Sequence, residues 1–207
     1  MGSDAFGEEF WEERYRSNSS VWSGQPNAQL VAEVADLPPG RVLDVGAGEG
    51  ADTCWLAGRG WQVTALDFAA TALRRGAEHA SRAGLADRVE WVHGDVTTWD
   101  PGERRFDLIS AHFLHLPKPE LRTVLTRLAG AAAPGGTLLL VQHHPSDLET
   151  TVGRPNLPER FTTAEEAAAW LPAGWTTEVA DARPRTATDG DGNEVTIHDA
   201  VLRARWG

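Results

Sequence analysis

Short apolar runs alternate with amphipathic stretches along most of this chain. Five runs read as buried strands: Arg41–Gly46, Val63–Leu66, Val89–Val92, Phe106–Ser110 and Thr137–Val141. Helical periodicity covers 6–17, 27–36 (with Leu30, Val31 and Val34 on one face and Pro26 opening it), 49–59, 69–83, 119–131 (opened by Pro119) and 163–171. Gly60 and Gly84 stop two of these helices, and Pro134-Gly135-Gly136 turns the chain into the fifth strand. Two further strands, near 175–182 and 195–204, flank the turn-rich run Thr188–Asn193 and read as a hairpin. Strands alternating with helices predict a parallel sheet covered on both faces. In such sheets ligands bind beyond the carboxyl ends of the strands, which directs attention to the residues just after 46, 66, 93, 110 and 142.

Composition narrows this picture. The chain has 207 residues, one domain's worth, and 41% of them are hydrophobic. Its formal charge of −11 disfavours a nucleic-acid or anionic-membrane partner held through a broad charged surface. The lone cysteine, Cys54, excludes an internal disulfide framework and a Cys-rich zinc site. No run approaches the ~18–20 apolar residues of a membrane span, and the acidic start lacks leader character, so a cytoplasmic location is expected. The Pro- and Gly-interrupted stretch 145–160 reads as one long loop, too short to separate two domains.

The first strand runs into Gly46-Ala47-Gly48-Glu49-Gly50. Glycines there let the backbone turn sharply and approach a ligand, and the next helix points its amide-rich start at the same place. Asp67 ends the second strand, where a carboxylate can accept both hydroxyl hydrogens of a ribose. Together these indicate an adenosine-containing cofactor. Gly46-x-Gly48-x-x-Ala51 also satisfies the dinucleotide fingerprint, so a nicotinamide-dependent oxidoreductase is a rival. Against it, Asp44 and Glu49 would repel a pyrophosphate and suit a cationic ligand. Gly94-Asp95 after the third strand offers an acceptor for an adenine amino group, and the chain closes in a hairpin rather than a second nucleotide-binding half.

With Val42–Gly50, Val63–Phe68, Gly94-Asp95-Val96, Phe106–Ser110 and Pro134–Leu138, the chain resembles the class I S-adenosylmethionine-dependent methyltransferases. Trp11-x-x-Arg14-Tyr15, Trp22 and Gly60–Ala65 are similar, more narrowly, to the small tellurite-resistance and thiopurine-type members. The resemblance implies a Rossmann-like α/β fold with a mostly parallel seven-stranded sheet, an antiparallel C-terminal hairpin and helices on both faces. It implies one methyltransferase domain over 1–207, with a helical lid at 1–37, a cofactor-binding core at 38–145 and a substrate-side loop, helix and hairpin at 146–207. It implies S-adenosylmethionine as cofactor and S-adenosylhomocysteine as product. It also implies residue roles: Gly46, Ala47 and Gly48 for the methionine part, with Asp44 shaping the loop and acting on the amino group. Asp67 would bind the ribose, Phe68 and Gly94 would lie at the adenine, and Asp95 and the Val96 amide would read its edge. Ser110 or Ala111 would offer a carbonyl to the amine, Arg14 would meet the carboxylate, and Tyr15 and Trp22 would form the lid.

The methyl acceptor should sit above the fourth and fifth strands, where His112, His115, His143 and His144 gather from two loops. A neutral imidazole can take a proton, and a protonated one can hold an anion. Successive residues of an extended chain face opposite sides, so one of His143 and His144 should point away. These histidines with Asp147 have metal-ligand chemistry, but their spacing is not diagnostic and no metal is expected. After strand four stands Ser110-Ala111-His112-Phe113, not the Asn/Asp-Pro-Pro-aromatic turn of nucleic-acid amino-methyltransferases. Trp11, Trp22, Trp99, Phe113 and the 145–160 loop could build an apolar lid. A small-molecule acceptor, a thiol or other chalcogen, is expected; a small-molecule O- or N-methyltransferase and a non-catalytic cofactor-binding protein stay open.

Overall fold

The computed structural model describes residues 6–207, so Met1–Ala5, part of the acidic start and of the lid, lie outside it. Seven strands form one sheet: β1 Arg41–Val45, β2 Gln62–Asp67, β3 Val89–His93, β4 Phe106–His112, β5 Ala132–His143, β6 Trp175–Thr188 and β7 Glu194–Trp206. Their order is β3-β2-β1-β4-β5-β7-β6, parallel from β3 to β5 and antiparallel where β7 pairs with β5 and β6. The chain leaves β1 in one direction, toward β2 and β3, and returns on the other side as β4. Loops therefore diverge at the carboxyl ends of β1 and β4, and that divergence opens a crevice.

Side chains of period two fill both faces. Val42, Leu108, Leu139 and Val141 pack with Leu30, Val34 and Leu56 of α2 (Ala28–Val34) and α3 (Ala51–Gly58). Their neighbours Leu43, Ile109, Leu138 and Leu140 pack with Leu121, Leu125 and Leu128 of α5 (Lys118–Ala129). Each such side chain, fully buried, contributes about 1.5–3 kcal/mol. Helices α1 (Glu8–Ser17) and α4 (Ala70–Arg82) pack together, and α6 (Ala164–Ala168) lies against the hairpin strands.

Several element boundaries differ from the sequence expectation for local reasons. Helix α2 starts at Ala28, capped by the Asn27 side chain, which accepts from the Gln29 amide; Pro26 stands before the cap. Pro119 is the second residue of α5, not the first. Helix α6 ends at Ala168 although periodicity ran to 171; a capping box of Thr163 and Glu166 fixes its start. The 145–160 loop contains two 3-10 turns, Pro145–Glu149 and Pro158–Arg160, each opened by its proline. Strand β5 begins five residues early, with an irregular register where Pro134-Gly135-Gly136 bulges between the Phe106–Ala132 and Leu108–Thr137 pairs. The hairpin is longer than expected, closed by Asp189, whose carboxylate accepts from the Asp191 and Asn193 amides.

Candidate functional site

The crevice is a cleft of about 580 Å³ at the carboxyl ends of β1, β2 and β4. Its floor is the glycine turn. The Gly46 and Ala47 amides both donate to the Leu66 carbonyl, which bends the chain hard against β2. Gly48 then adopts φ of 53°, and a Cβ there would stand 3.0 Å from the Tyr15 hydroxyl. Asp67 faces this turn: one carboxylate oxygen accepts from the Gly48 amide and the other from the Ala69 amide, each at 2.8 Å. Burial pushes the Asp67 carboxyl up, and the amide donors oppose that rise. Phe68, Gly94, Asp95 and Val96 continue the wall. Asp95 accepts from the Thr97 amide through one oxygen.

A segment from α1 to Gln25 covers this floor. Trp22 donates its indole N–H to the Tyr15 hydroxyl at 2.9 Å, and Trp11 lies 5.8 Å from Trp22. Glu49 anchors the cover. One of its oxygens accepts from the Val21 and Trp22 amides and the other pairs with Arg75 at 2.8 Å, while Arg75 also donates to the Tyr15 and Asn18 carbonyls. Glu49 was read from the sequence as a charge for a cationic ligand. In the structure much of that charge is met by Arg75 and the cover's own backbone.

On the β4 side, His112 is held at both ring nitrogens. Nδ1 lies 2.8 Å from Asp52, and Nε2 lies 3.1 Å from the Ser110 hydroxyl. Asp52 also accepts from the Asn27 amide at 2.6 Å. Asp44 sits beneath the turn, fully buried, and accepts from the Thr53 hydroxyl. Burial, reinforced by the charge of Asp52, raises its carboxyl to about 7. Cys54 borders the cleft, but burial and then Asp44 push its thiol up, which keeps it protonated and unreactive.

His115 lines the acceptor end. It holds φ of 46°, its ring stacks on Phe6 and Trp11, and burial followed by nearby Arg154 and Arg160 lowers it to about 4. His143 lies behind it, with ring centres 5.5 Å apart, stacked 4.4 Å from Phe113; burial and Arg154 hold it far below the usual imidazole range. His144 turns elsewhere, to the Ser146 hydroxyl and toward His198.

The sequence-predicted residues thus divide. Tyr15, Trp22, Gly46, Ala47, Gly48, Asp67, Phe68, Gly94, Asp95, Val96, His112 and His115 line the cleft. Asp44, Ser110 and Ala111 are buried behind it, and His143 and His144 are not on its wall. Arg14 stacks its guanidinium over Trp11 and Trp22 instead of lining the floor. Trp99, read as part of the lid, packs into the core beside Gly94. Sequence reasoning missed Asp52, Arg75 and His79; His79 meets the Glu49 carbonyl at 3.1 Å. A first-turn helix acid was the available signal for Asp52. Arg75 and His79 carried none.

Among the described residues, Glu49, Asp52, Asp67 and Asp95 line the cleft and no arginine or lysine does, Arg75 pairing with Glu49 from behind the wall. Such a wall fits the sulfonium and ammonium of S-adenosylmethionine and does not fit a pyrophosphate, which needs donors and positive charge. No group of three or more His, Cys, Asp or Glu among the described residues has metal-site geometry, and no helix is long and apolar enough to cross a membrane.

Residues 42–136 match the family described as "Methyltransferase domain". A trans-aconitate 2-methyltransferase of Methylobacterium radiotolerans is 36% identical over 116 residues, 55% of this chain and 42% of that protein. The chain's matches span only 32% to 49% of the first curated relatives. The structure reported for the conversion of a disulfide bond into a thioacetal group during echinomycin biosynthesis superposes with a TM-score of 0.77 at 25% identity, covering 96% of this chain and 91% of that one. TehB of Haemophilus influenzae shares the fold, with a TM-score of 0.70 at 20% identity over 97% of this chain and 67% of its own.

Proposed function

We propose that the chain, whose residues 42–136 match the methyltransferase-domain family, is a class I, S-adenosylmethionine-dependent enzyme that methylates a small molecule, with a thiol or other chalcogen as acceptor. The acid-lined cleft built around Asp67 and the glycine turn carries this reading. Asp67 is the ribose ligand, its two oxygens already aligned by backbone amides. Asp95 and the Val96 amide serve the adenine edge, and Phe68 its face. Bound in this cleft, S-adenosylmethionine supplies an electrophilic methyl group on a sulfonium.

The chain's own residues position, desolvate and exclude water. Tyr15, Trp11 and Trp22 cover the floor, and a covered, dry site favours an in-line displacement. His112 is a positioned wall residue, since both its nitrogens are engaged. His115 is neutral near pH 7 and stands at the acceptor end as the candidate base. His143 packs beside His115 with ring centres 5.5 Å apart, and neither it nor His144, turned away, has a proposed catalytic part. A thiol that ionises near neutrality needs little help from a base. The sulfur chemistry reported for the 25%-identical structure supports that acceptor. An oxygen acceptor is the second reading, favoured by the trans-aconitate relative. Among the described residues no arginine or lysine lines the cleft wall, which disfavours nucleic acid. The proposed setting is the cytoplasm, where the free Cys54 stays reduced.

The test is S-adenosylhomocysteine release from S-adenosylmethionine with a panel of thiols, phenols, amines and carboxylates. Turnover with thiols supports the reading, and turnover confined to oxygen or nitrogen acceptors overturns its sulfur part. Cofactor binding without methylation of any acceptor would favour the non-catalytic alternative.

A further inference from the structure

The two ends of the site differ in charge. The cofactor end is acidic, whereas the groups around His115 are arginines. Arg160 donates to the His115 carbonyl, and its guanidinium stands 5.4 Å from the Phe6 ring centre. Among the described residues, Arg154, on the loop between the two 3-10 turns, has as its acid partner only Asp147, at 3.5 Å. Their side chains are 9% and 20% exposed, so both charges are drawn away from water. Acids facing this group are few. Glu159 reaches Arg160 only at 4.0 Å and is itself exposed, and Asp199 is engaged by Arg185 at 2.9 Å.

Among the described residues, three buried ring or guanidinium nitrogens here lack a hydrogen-bond partner, Arg154 Nε, Arg160 Nε and His143 Nδ1, as does the Asp147 Oδ2 acceptor that faces Arg154. Buried donors in a folded protein are nearly always paired, so a cluster without partners marks a place for a ligand group. His115 links the cluster to the cleft, since it lines the cleft, receives Arg160 and lies 5.5 Å from His143. A guanidinium presents a planar fork of donors that matches a carboxylate.

We propose that the methyl acceptor carries a carboxylate, which reaches past His115 to Arg154 and Arg160 behind the cleft wall. The inference rests on the methyltransferase reading and deepens it: the acidic end receives the cationic cofactor and the basic end an anionic acceptor. Both arginines are positioning and specificity residues, which orient the acceptor without taking part in bond making.

Titration of the S-adenosylhomocysteine complex with benzoate, and with benzamide as its neutral match, tests this. Benzoate should bind at least about tenfold tighter than benzamide. Arg154→Gln and Arg160→Gln should each weaken benzoate at least about tenfold and leave benzamide and S-adenosylhomocysteine affinity unchanged, and Arg154→Lys should recover part of the loss. If Arg160→Gln disturbs the His115 loop, seen as lost S-adenosylhomocysteine binding, Arg154→Gln and the benzoate-to-benzamide ratio decide. Equal binding of the two probes, no binding of either, or full benzoate affinity in Arg154→Gln would overturn the proposal. Failure of the unmodified chain to bind S-adenosylhomocysteine would instead remove the cofactor reading beneath it.

Discussion

Arg75 pairs with Glu49 at 2.8 Å, and through that pair α4 holds the aromatic cover onto the glycine turn. The side chains are 15% and 9% exposed, so the pair is shielded from solvent. Arg75→Met leaves the Glu49 charge buried and frees the Tyr15 and Asn18 carbonyls. Removing one partner of a buried pair costs about 3–5 kcal/mol, and Arg75→Met should lose most of that in urea unfolding. Glu49→Gln should cost less, because its amide oxygen can still accept from the Val21 and Trp22 amides. Proteolysis within residues 8–24 should quicken in Arg75→Met.

The glycine turn permits a second prediction. Gly48→Ala places a Cβ 3.0 Å from the Tyr15 hydroxyl at φ of 53°. The left-handed backbone alone costs an L-residue about 1–2 kcal/mol. The variant should unfold at lower denaturant by that much and should bind S-adenosylhomocysteine at least about tenfold more weakly, since relieving the contact displaces the cover.

Asp52→Ala takes away the partner of His112 Nδ1 and of the Asn27 amide. An unpaired buried donor costs about 1–3 kcal/mol. The expected outcome is a stability loss in that range together with reduced turnover on any accepted substrate. Asp52→Asn, which can still accept from the ring, should retain more of both.

His115 yields a pH dependence of definite sign. Its folded pKa, about 4, lies below the ordinary 6.5, so the unfolded chain binds more protons between these values. Its contribution to stability is full above pH 6.5 and is lost as pH falls toward 4, by about 3 kcal/mol in all. His115→Asn, which tolerates the positive φ, should remove that part of the acid-side slope. His143 acts in the same direction, whereas the raised Asp44 carboxyl acts oppositely, favouring the fold at low pH and losing that contribution as pH rises to about 7. Urea unfolding of the His115 variant at pH 7.5 and pH 4.5 checks the difference.

What was legible in the sequence was local. Short apolar runs marked β1 to β5 and the turn-rich run Thr188–Asn193 marked the hairpin, and Gly46, Gly48 and Asp67 stood out because one turn and one strand end bring them together. Helix ends were less legible: Pro26 and Pro119 each suggested a start, but the Asn27 side-chain cap and the Pro117–Lys118 entry set the observed ones. Long-range partners left no trace. Glu49 looked like a ligand charge because Arg75, 26 residues away, has no sequence mark that pairs it with Glu49. Arg154 and Arg160 carry no mark in the sequence, and only the fold of 145–160 gathers them near His115. Neighbouring His143 and His144 lie on different sides, as strand geometry requires, yet parity alone could not say which one would approach His115.

The proposed chemistry stands or falls with S-adenosylmethionine binding at Asp67 in the acid-lined cleft. Calorimetric titration with S-adenosylhomocysteine tests it most directly, with NAD as the rival ligand and Asp67→Ala as the control. Saturable one-site binding of S-adenosylhomocysteine is expected, with none of NAD and a loss of about 2 kcal/mol or more in Asp67→Ala, the scale of hydrogen bonds to a charged group. Tighter binding of NAD, or undiminished S-adenosylhomocysteine binding in Asp67→Ala, would contradict it.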